Sequence, residues 1–348
     1  MRHRVTFSLR IGTLALLLTS CADDGSPPLR DKSETDGATD TNTTGTSVGC
    51  AASPEALGGC VQVEGYDEDL QFIADIRNPG SPHWQAVQDL CFDRLTELGY
   101  QVQQHEYITG INILGRKLGA TNPGQEVLIG AHYDHLVGCI GADDNATGVA
   151  GALEAARVLA QAEFDKTITI ACWDQEEAGL VGSRAFAQEA AMRGEQFVVN
   201  FNFEMLGYRS DQPETQEFPA GFNLLFPDAY AKVSGNQFRG DFIALIADQA
   251  AQPFFEPMVT FGESVGLSSV VLPLDSSTQN LPDLRRSDHA SFWDIAVPAI
   301  MITDTANFRN AAYHCVGGED TVDRLDSAFA TQVVAATVAS AAAAAGLR

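Results

Sequence analysis

The residues best able to do chemistry stand at the ends of apolar runs. Glu126 to Ala131 leads into His132 and Asp134, Thr167 to Trp173 into Glu176 and Glu177, and Phe197 to Phe203 into Glu204. Polar groups delivered by the carboxyl ends of strands are how open α/β sheets build their sites. His132 and Asp134 are two residues apart, so an extended chain places both on one face. A neutral imidazole is a metal ligand, and a neighbouring carboxylate takes its second N–H and fixes the ring. Asp144 lies in the segment Gly141-Ala-Asp-Asp-Asn-Ala-Thr-Gly148, just before a helical pattern. There it offers two oxygens to two cations, or else it is a helix cap, a role open also to Asp143 and Asn145. Of the adjacent Glu176 and Glu177, one carboxylate suits a metal, and its neighbour suits removal of a proton from a metal-activated water. His135 reads as a surface or loop histidine, and His289 opens an apparent helix.

The elements that must position these groups alternate as in an α/β layer fold. Helical periodicity runs over Tyr66 to Arg77 and His83 to Leu98, followed by a hairpin of Tyr100 to Ile108 and Ile111 to Lys117. Beyond the three strands above, the pattern predicts helices over Asn145 to Ala162, Leu180 to Arg193, Asp241 to Ala251 and Asp326 to Ala345, and a strand over Ala299 to Thr303. Arg209 to Phe226 and Pro253 to Leu284 read as loops. No repeat period is visible.

The chain of 348 residues carries 46 acidic and 21 basic side chains, a formal charge of −25. Nucleic acid is therefore excluded as a partner, because its phosphates would be repelled. At the N-terminus Arg2, His3, Arg4 and Arg10 precede the apolar run Ile11 to Leu18, the pattern of a signal peptide over residues 1–20. Leu18-Thr19-Ser20-Cys21 resembles a bacterial lipobox, which implies export and a lipid on Cys21 as the sole membrane attachment, with Ala22 favouring an outer membrane where one exists. Residues 21–55, rich in Asp, Thr, Gly and Ser, read as a disordered tether, and 56–348 as one catalytic domain. Six cysteines remain besides Cys21. Cys50 and Cys60 bracket a short loop and are expected to pair; Cys139 and Cys315 invite a bridge near the site or stay free; Cys91 and Cys172 read as buried thiols.

The segments HYDHLVGCIGADDNATG, WDQEEAGLVGSRAF, NFEMLGY, RSDHASFW and TDTANFRNAAYHCVGGEDTVDRLD resemble, in order and spacing, the secreted leucyl aminopeptidase and glutamate carboxypeptidase family of di-zinc exopeptidases, over roughly residues 66 to 340. The resemblance implies a three-layer α/β/α sandwich around a mostly parallel mixed sheet. It implies two Zn²⁺ ions, one on His132, Asp144 and Glu204 and the other on Asp144, Glu177 and His314, with Asp144 as the bridge. It also implies Glu176 as general base, Asp134 as the carboxylate orienting His132, a cis peptide after Asp144, and a peptide with a free N-terminus as substrate. His314 is preferred to His289 because Tyr-His-Cys-x-x-x-Glu-Asp-Thr matches the family's Tyr-His segment. Asp288 and His289 then support or pack. Three positions depart from the pattern: Glu204 where Asp is frequent, Ala311 where Pro is usual, and Cys315 where Thr is common.

Other functions compete on the same residues. A glutaminyl cyclase uses the scaffold with one zinc, a carboxypeptidase on acidic peptides needs a basic pocket such as Arg184, Arg209, Arg285, Arg286 or Arg309 would furnish, and a receptor-like relative would have lost ligands that are all present here. Gly-x-Ser-x-Gly occurs at Gly45 to Gly49 and Gly262 to Gly266, but a serine nucleophile elbow needs a strand before the Ser and a helix after it. Oligomeric state is not legible.

Overall fold

The computed structural model describes residues 49–348. The signal peptide, Cys21 and most of the expected tether lie outside the described residues. The described chain is one compact unit. The expected tether overlaps it. Residues 50–55 fall in a turn over Cys50–Ala52 and the helix α1 (Pro54–Gly58), capped by the Ser53 hydroxyl and tied down by a Cys50–Cys60 disulfide. The order of this segment comes from a covalent link and a cap rather than from apolar residues, so its composition conceals it.

Eight strands form one sheet: β1 (Gln101–Tyr107), β2 (Gly110–Lys117), β3 (Asn122–His132), β4 (Lys166–Trp173), β5 (Gln196–Phe203), β6 (Ile243–Ala247), β7 (Ser269–Pro273) and β8 (Ala299–Thr303). Their order is β1-β2-β4-β3-β5-β8-β6-β7. The four central strands β4, β3, β5 and β8 are mutually parallel, so their carboxyl ends share one edge. The hairpin β1–β2 and the strand β6 add antiparallel partners on either side. The alternation of side chains across β3 divides the core. Val127, Ile129 and Ala131 face a layer with α2 (Val63–Ile73), α4 (Gly148–Leu159) and α10 (Ser327–Ala345), whereas Leu128 joins Trp173, Phe186 of α5 (Val181–Arg193) and Phe292 of α9 (His289–Trp293) on the other side. Each such aliphatic side chain contributes about 1.5–3 kcal/mol on burial. The result is the three-layer α/β/α sandwich around a mostly parallel mixed sheet that the sequence implied.

One element changes type. Residues 241–251, expected as a helix, contain the strand β6, whose five residues are all buried. An apolar run this short has no helical period to test, and pairing with β8 decides it. The loop expected over residues 253–284 holds a helix, α8 (Phe255–Ser264), and the strand β7. Helix α10 is long and apolar enough by composition to cross a membrane, yet 78% of its apolar window is buried within the molecule, where it packs as a core helix capped by Asp326.

Candidate active site

The central strands converge their carboxyl ends on one cluster. His132 is the last residue of β3; Glu176 and Glu177 follow β4 after the two residues Asp174 and Gln175; Glu204 directly follows β5. Local packing explains their placement. Gly130, two residues before His132, leaves room for the Trp173 indole, which lies where a Cβ would stand. Gly141 adopts φ +59, a conformation that glycine enters freely, and turns the chain into residues 142–147, from which Asp144 points inward. A cis peptide joins Asp144 to Asn145. Asn145 Oδ1 accepts from the N–H groups of Gly148 and Met205, so Asn145 takes the capping role and both Asp144 oxygens stay free for the site.

Two groups of ligand-type atoms share Asp144. In the first, His132 Nε2 lies 3.3 Å from Asp144 Oδ1 and 3.5 Å from Glu204 Oε2. In the second, His314 Nε2 lies 3.3 Å from Asp144 Oδ2 and 3.3 Å from Glu177 Oε2. Tetrahedral nitrogen and oxygen ligands held at about 2.0–2.1 Å from a cation stand about 3.3–3.4 Å from one another. The histidine-to-carboxylate distances of both groups, 3.3–3.5 Å, are close to that spacing. His132 Nε2 and both Asp144 oxygens are buried without a hydrogen-bond partner, an arrangement that costs several kcal/mol unless a positive charge enters. The donor set therefore fits divalent cations of the zinc type.

His135 is a correction to the sequence reading. It is fully buried, with Nδ1 2.6 Å from Glu177 Oε1 and 4.0 Å from Asp144 Oδ1. His135, Asp144 and Glu177 offer ligand-type atoms that all lie within 4.8 Å of one another, so His135 is a second candidate for this group beside His314, whose 3.3 Å distances to both carboxylates match the tetrahedral edge more closely. Nothing local in the sequence marks His135 as buried. The turn that brings it inward is held by Arg77, whose backbone carbonyl accepts the His135 N–H.

The surroundings hold these groups in register. Asp134 accepts the N–H of Glu176 (2.9 Å) and of Glu177 (3.3 Å) on its carboxylate, while His132 Nδ1 meets the Asp134 backbone carbonyl at 3.2 Å and the carboxylate Oδ1 at 3.5 Å. One carboxylate thus fixes the strand β3 group relative to the β4 pair. Ser287 donates to Glu204 Oε2 (2.6 Å) and receives from Asn202 (2.8 Å), which steadies the arm that is one methylene longer than Asp. Asp320 accepts the N–H groups of Asp143 (2.9 Å) and Asp144 (3.1 Å). Buried Arg77 donates to the carbonyls of Ile140, Gly141 (2.6 Å) and Asp144 (2.9 Å). Arg77, Ser287 and Asp320 were not singled out in the sequence; Ser287 and Asp320 lie inside the quoted motifs, but their roles depend on tertiary contacts.

Glu176 belongs to neither group. Burial, reinforced by Glu204, Asp288 and Glu177 against the opposing pull of His132, pushes its carboxyl well above the usual carboxylate range. Although burial works the other way, His135, His132 and His314 hold the Asp144 carboxyl well below that range. His289 faces away: its Nε2 meets the Leu284 carbonyl at 3.0 Å, its ring packs edge-on against Trp293, and burial lowers its pKa to about 3. It is a neutral packing residue, as its rejection in favour of His314 required. Asp288 is buried beside the cluster, and burial raises its pKa to about 7. The second Gly-x-Ser-x-Gly segment has its Ser at the end of helix α8 with strand β7 after it, the reverse of a nucleophile elbow. The first falls, save Gly49, outside the described residues.

An apolar pocket of about 80 Å³ opens beside Glu204, walled by Phe218, Phe222, Phe242, Ile246 and Met301 among others, with Glu217, Asp283 and Arg286 also on its lining.

The family model of peptidase family M28 matches residues 112–341, two-thirds of the chain. This protein is a member of that family. An uncharacterized Escherichia coli (strain K12) protein, YfbL, is 34% identical over 61% of this chain and 64% of its own length. A Pseudomonas aeruginosa aminopeptidase is also 34% identical, over 40% of this chain and 28% of its own. The chain thus spans less than two-thirds of these relatives. Among solved structures, LapB from Legionella pneumophila superposes with a TM-score of 0.65 at 18% identity, covering 85% of this chain and 75% of that one. An aminopeptidase from Aneurinibacillus sp. strain AM-1 gives 0.64 at 13% identity, covering 85% and 97%. A Porphyromonas gingivalis glutaminyl cyclase gives 0.55 at 16% identity, covering 81% and 98%. These likenesses concern the fold.

Proposed function

We propose that the protein is an aminopeptidase with two zinc ions, close to the leucyl aminopeptidase members of its family. The observation that carries this reading is the pair of ligand groups sharing Asp144. His132, Asp144 and Glu204 would hold one ion and Asp144, Glu177 and His314 the other. Zinc in such a pair polarises a carbonyl and makes hydroxide available near neutral pH. Glu176 acts as the general base: its carboxylate takes the proton of the attacking water and returns it to the leaving amine. Asp134 keeps His132 oriented and the Glu176–Glu177 backbone in place. The pocket beside Glu204 takes the N-terminal side chain of the substrate, and its aromatic and aliphatic walls favour a large apolar one. The printed names of the P. aeruginosa relative and the Aneurinibacillus structure agree with this activity.

The rivals are disfavoured by particular contacts. The shared fold does not separate a peptidase from a cyclase; the second ligand group, which a one-zinc cyclase does not need, favours the peptidase. A carboxypeptidase for acidic peptides lacks its basic pocket. Arg209 and Arg285 are paired with Asp211 and Asp294, Arg309 is buried over Phe242, Arg184 is exposed, and Arg286 shares its wall with Glu204, Glu217 and Asp283. Elemental analysis and a panel of substrates test the proposal together. About two zinc ions per chain are expected, with Leu, Met or Phe released from peptide N-termini. Acidic N-terminal residues should be cleaved at least about a hundredfold more slowly, because the lining sets Glu204, Glu217 and Asp283 against Arg286 alone and like charges brought together cost several kcal/mol. Cyclisation of N-terminal glutamine, or release of C-terminal Glu in its place, overturns it.

The lipobox-like Leu18 to Cys21 supports export and lipid anchoring to the cell envelope, with the peptidase on a tether. Cys21→Ser is expected to release an active soluble enzyme in membrane fractionation. A variant that stays in the membrane fraction after signal cleavage refutes the anchor.

A further inference from the structure

The loop that carries His314 rests on two firm feet, and between them the Arg286 guanidinium lies over the Tyr313 ring at 5.3 Å. Asn310 donates to Asp143 Oδ2 (3.0 Å) at one foot, and Asp320 accepts the Asp143 and Asp144 N–H groups at the other. Between them the backbone hydrogen bonds stay within the loop: Cys315 to Ala312, Val316 to Tyr313 and Gly317 to Ala311. His314 and Cys315 both have positive φ, 55° and 58°. Left-handed backbone in non-glycine residues costs roughly 1–2 kcal/mol each, so an untethered loop has reason to relax. The loop is also solvent-facing: the His314 side chain is 30% exposed, against 1% for His132.

A covalent tie crosses this gap. Cys315, next to His314, is bonded to Cys139, 176 residues earlier in the chain. The Cys139 end is rigid, because Arg77 grips the carbonyls of Ile140, Gly141 and Asp144 just beyond it. The bridge therefore references His314 to the same clamped backbone that carries Asp144. The first ligand group has no member on the bridged loop: His132 ends β3, Glu204 follows β5, and Asp144 is held by Arg77 and Asp320.

We infer that the Cys139–Cys315 disulfide is a positioning element for His314 that sets the cation affinity of the second ligand group and leaves the first unaffected. The inference rests on the two-ion reading above. It makes the enzyme sensitive to the redox state of its surroundings at one ion and not at the other.

Calorimetric titration of the metal-free full chain with Zn²⁺ tests it, comparing wild type with the Cys139→Ser/Cys315→Ser variant. Both proteins should take the first ion with the same affinity. The second should bind the variant at least about tenfold more weakly, the lower end for losing a group that orients a ligand. Turnover lost at limiting zinc should return as zinc is raised, which a general loss of structure would not permit. If the variant does not fold, wild type opened by a non-chelating phosphine, with free thiols counted by mass spectrometry, replaces it. A variant that binds the second ion as tightly as wild type overturns the inference, as does equal weakening of both ions. Wild type that takes a single ion overturns the two-ion reading and the inference with it.

Discussion

Replacing Glu176 by Gln is expected to leave zinc content and melting temperature at their wild-type values while turnover falls at least about a hundredfold, the lower end for general-base catalysis. The amide keeps the size and hydrogen-bonding reach of the side chain but cannot take a proton from water. Glu176 stands outside both ligand groups, so no cation depends on its charge. Its neighbour should behave oppositely. Glu177 Oε2 stands 3.3 Å from His314 Nε2, and Glu177→Gln removes the negative charge there, so this variant should lose the second ion. Metal analysis and steady-state kinetics on the two variants decide between the roles. Near-normal turnover in Glu176→Gln, or loss of metal from it, reverses the assignment.

The largest effect on metal is expected from Asp144→Asn, because this one carboxylate faces both histidines, Oδ1 toward His132 and Oδ2 toward His314, at 3.3 Å each. Both ions should be weakened together and activity should fall below detection. Thermal stability supplies a second readout. A ligand that binds only the folded state at about a hundred times its Kd adds about 2.7 kcal/mol per site, so two zinc sites add about 5 kcal/mol to wild type. The melting temperature of wild type should therefore climb with zinc concentration, whereas that of Asp144→Asn should hardly respond. A zinc-dependent rise in the variant equal to that of wild type would exclude a bridging role.

The sheet and the candidate cluster were legible to different depths. The central strands could be read because each is an apolar run with a polar terminus, and burial on both faces of a parallel strand demands such a run. That pattern singles out His132, Asp134, Glu176, Glu177 and Glu204 as candidates, and Asp144 stands out only as one of several acids in the loop before a helix. His314 is missed by it: it lies on an irregular loop with no period, and only the order of motifs pointed to it. Strand β6 was misread because Ile243 to Ala247 is too short to display a period, and what makes it a strand is pairing with β8, far along the chain. His135 was misread because its burial depends on Arg77, a residue more than fifty positions away that no chemical motif advertises. The bridge between Cys139 and Cys315 had been left open for the same reason, since spacing alone says nothing about which thiols meet.

The pocket beside Glu204 and the cluster it adjoins draw on different stretches of the chain. Apart from Glu204, every residue that lines the pocket comes after residue 215, while all the acidic and imidazole groups of the cluster except His314 come by residue 204. On the proposed reading, preference for a side chain and the chemistry itself are thus encoded largely in separate blocks of sequence. The early block tolerates little drift, since a slip at any strand terminus disturbs several neighbours at once. The later block can accumulate substitutions on its apolar walls one at a time, each altering which residue is welcome and none disarming the reaction.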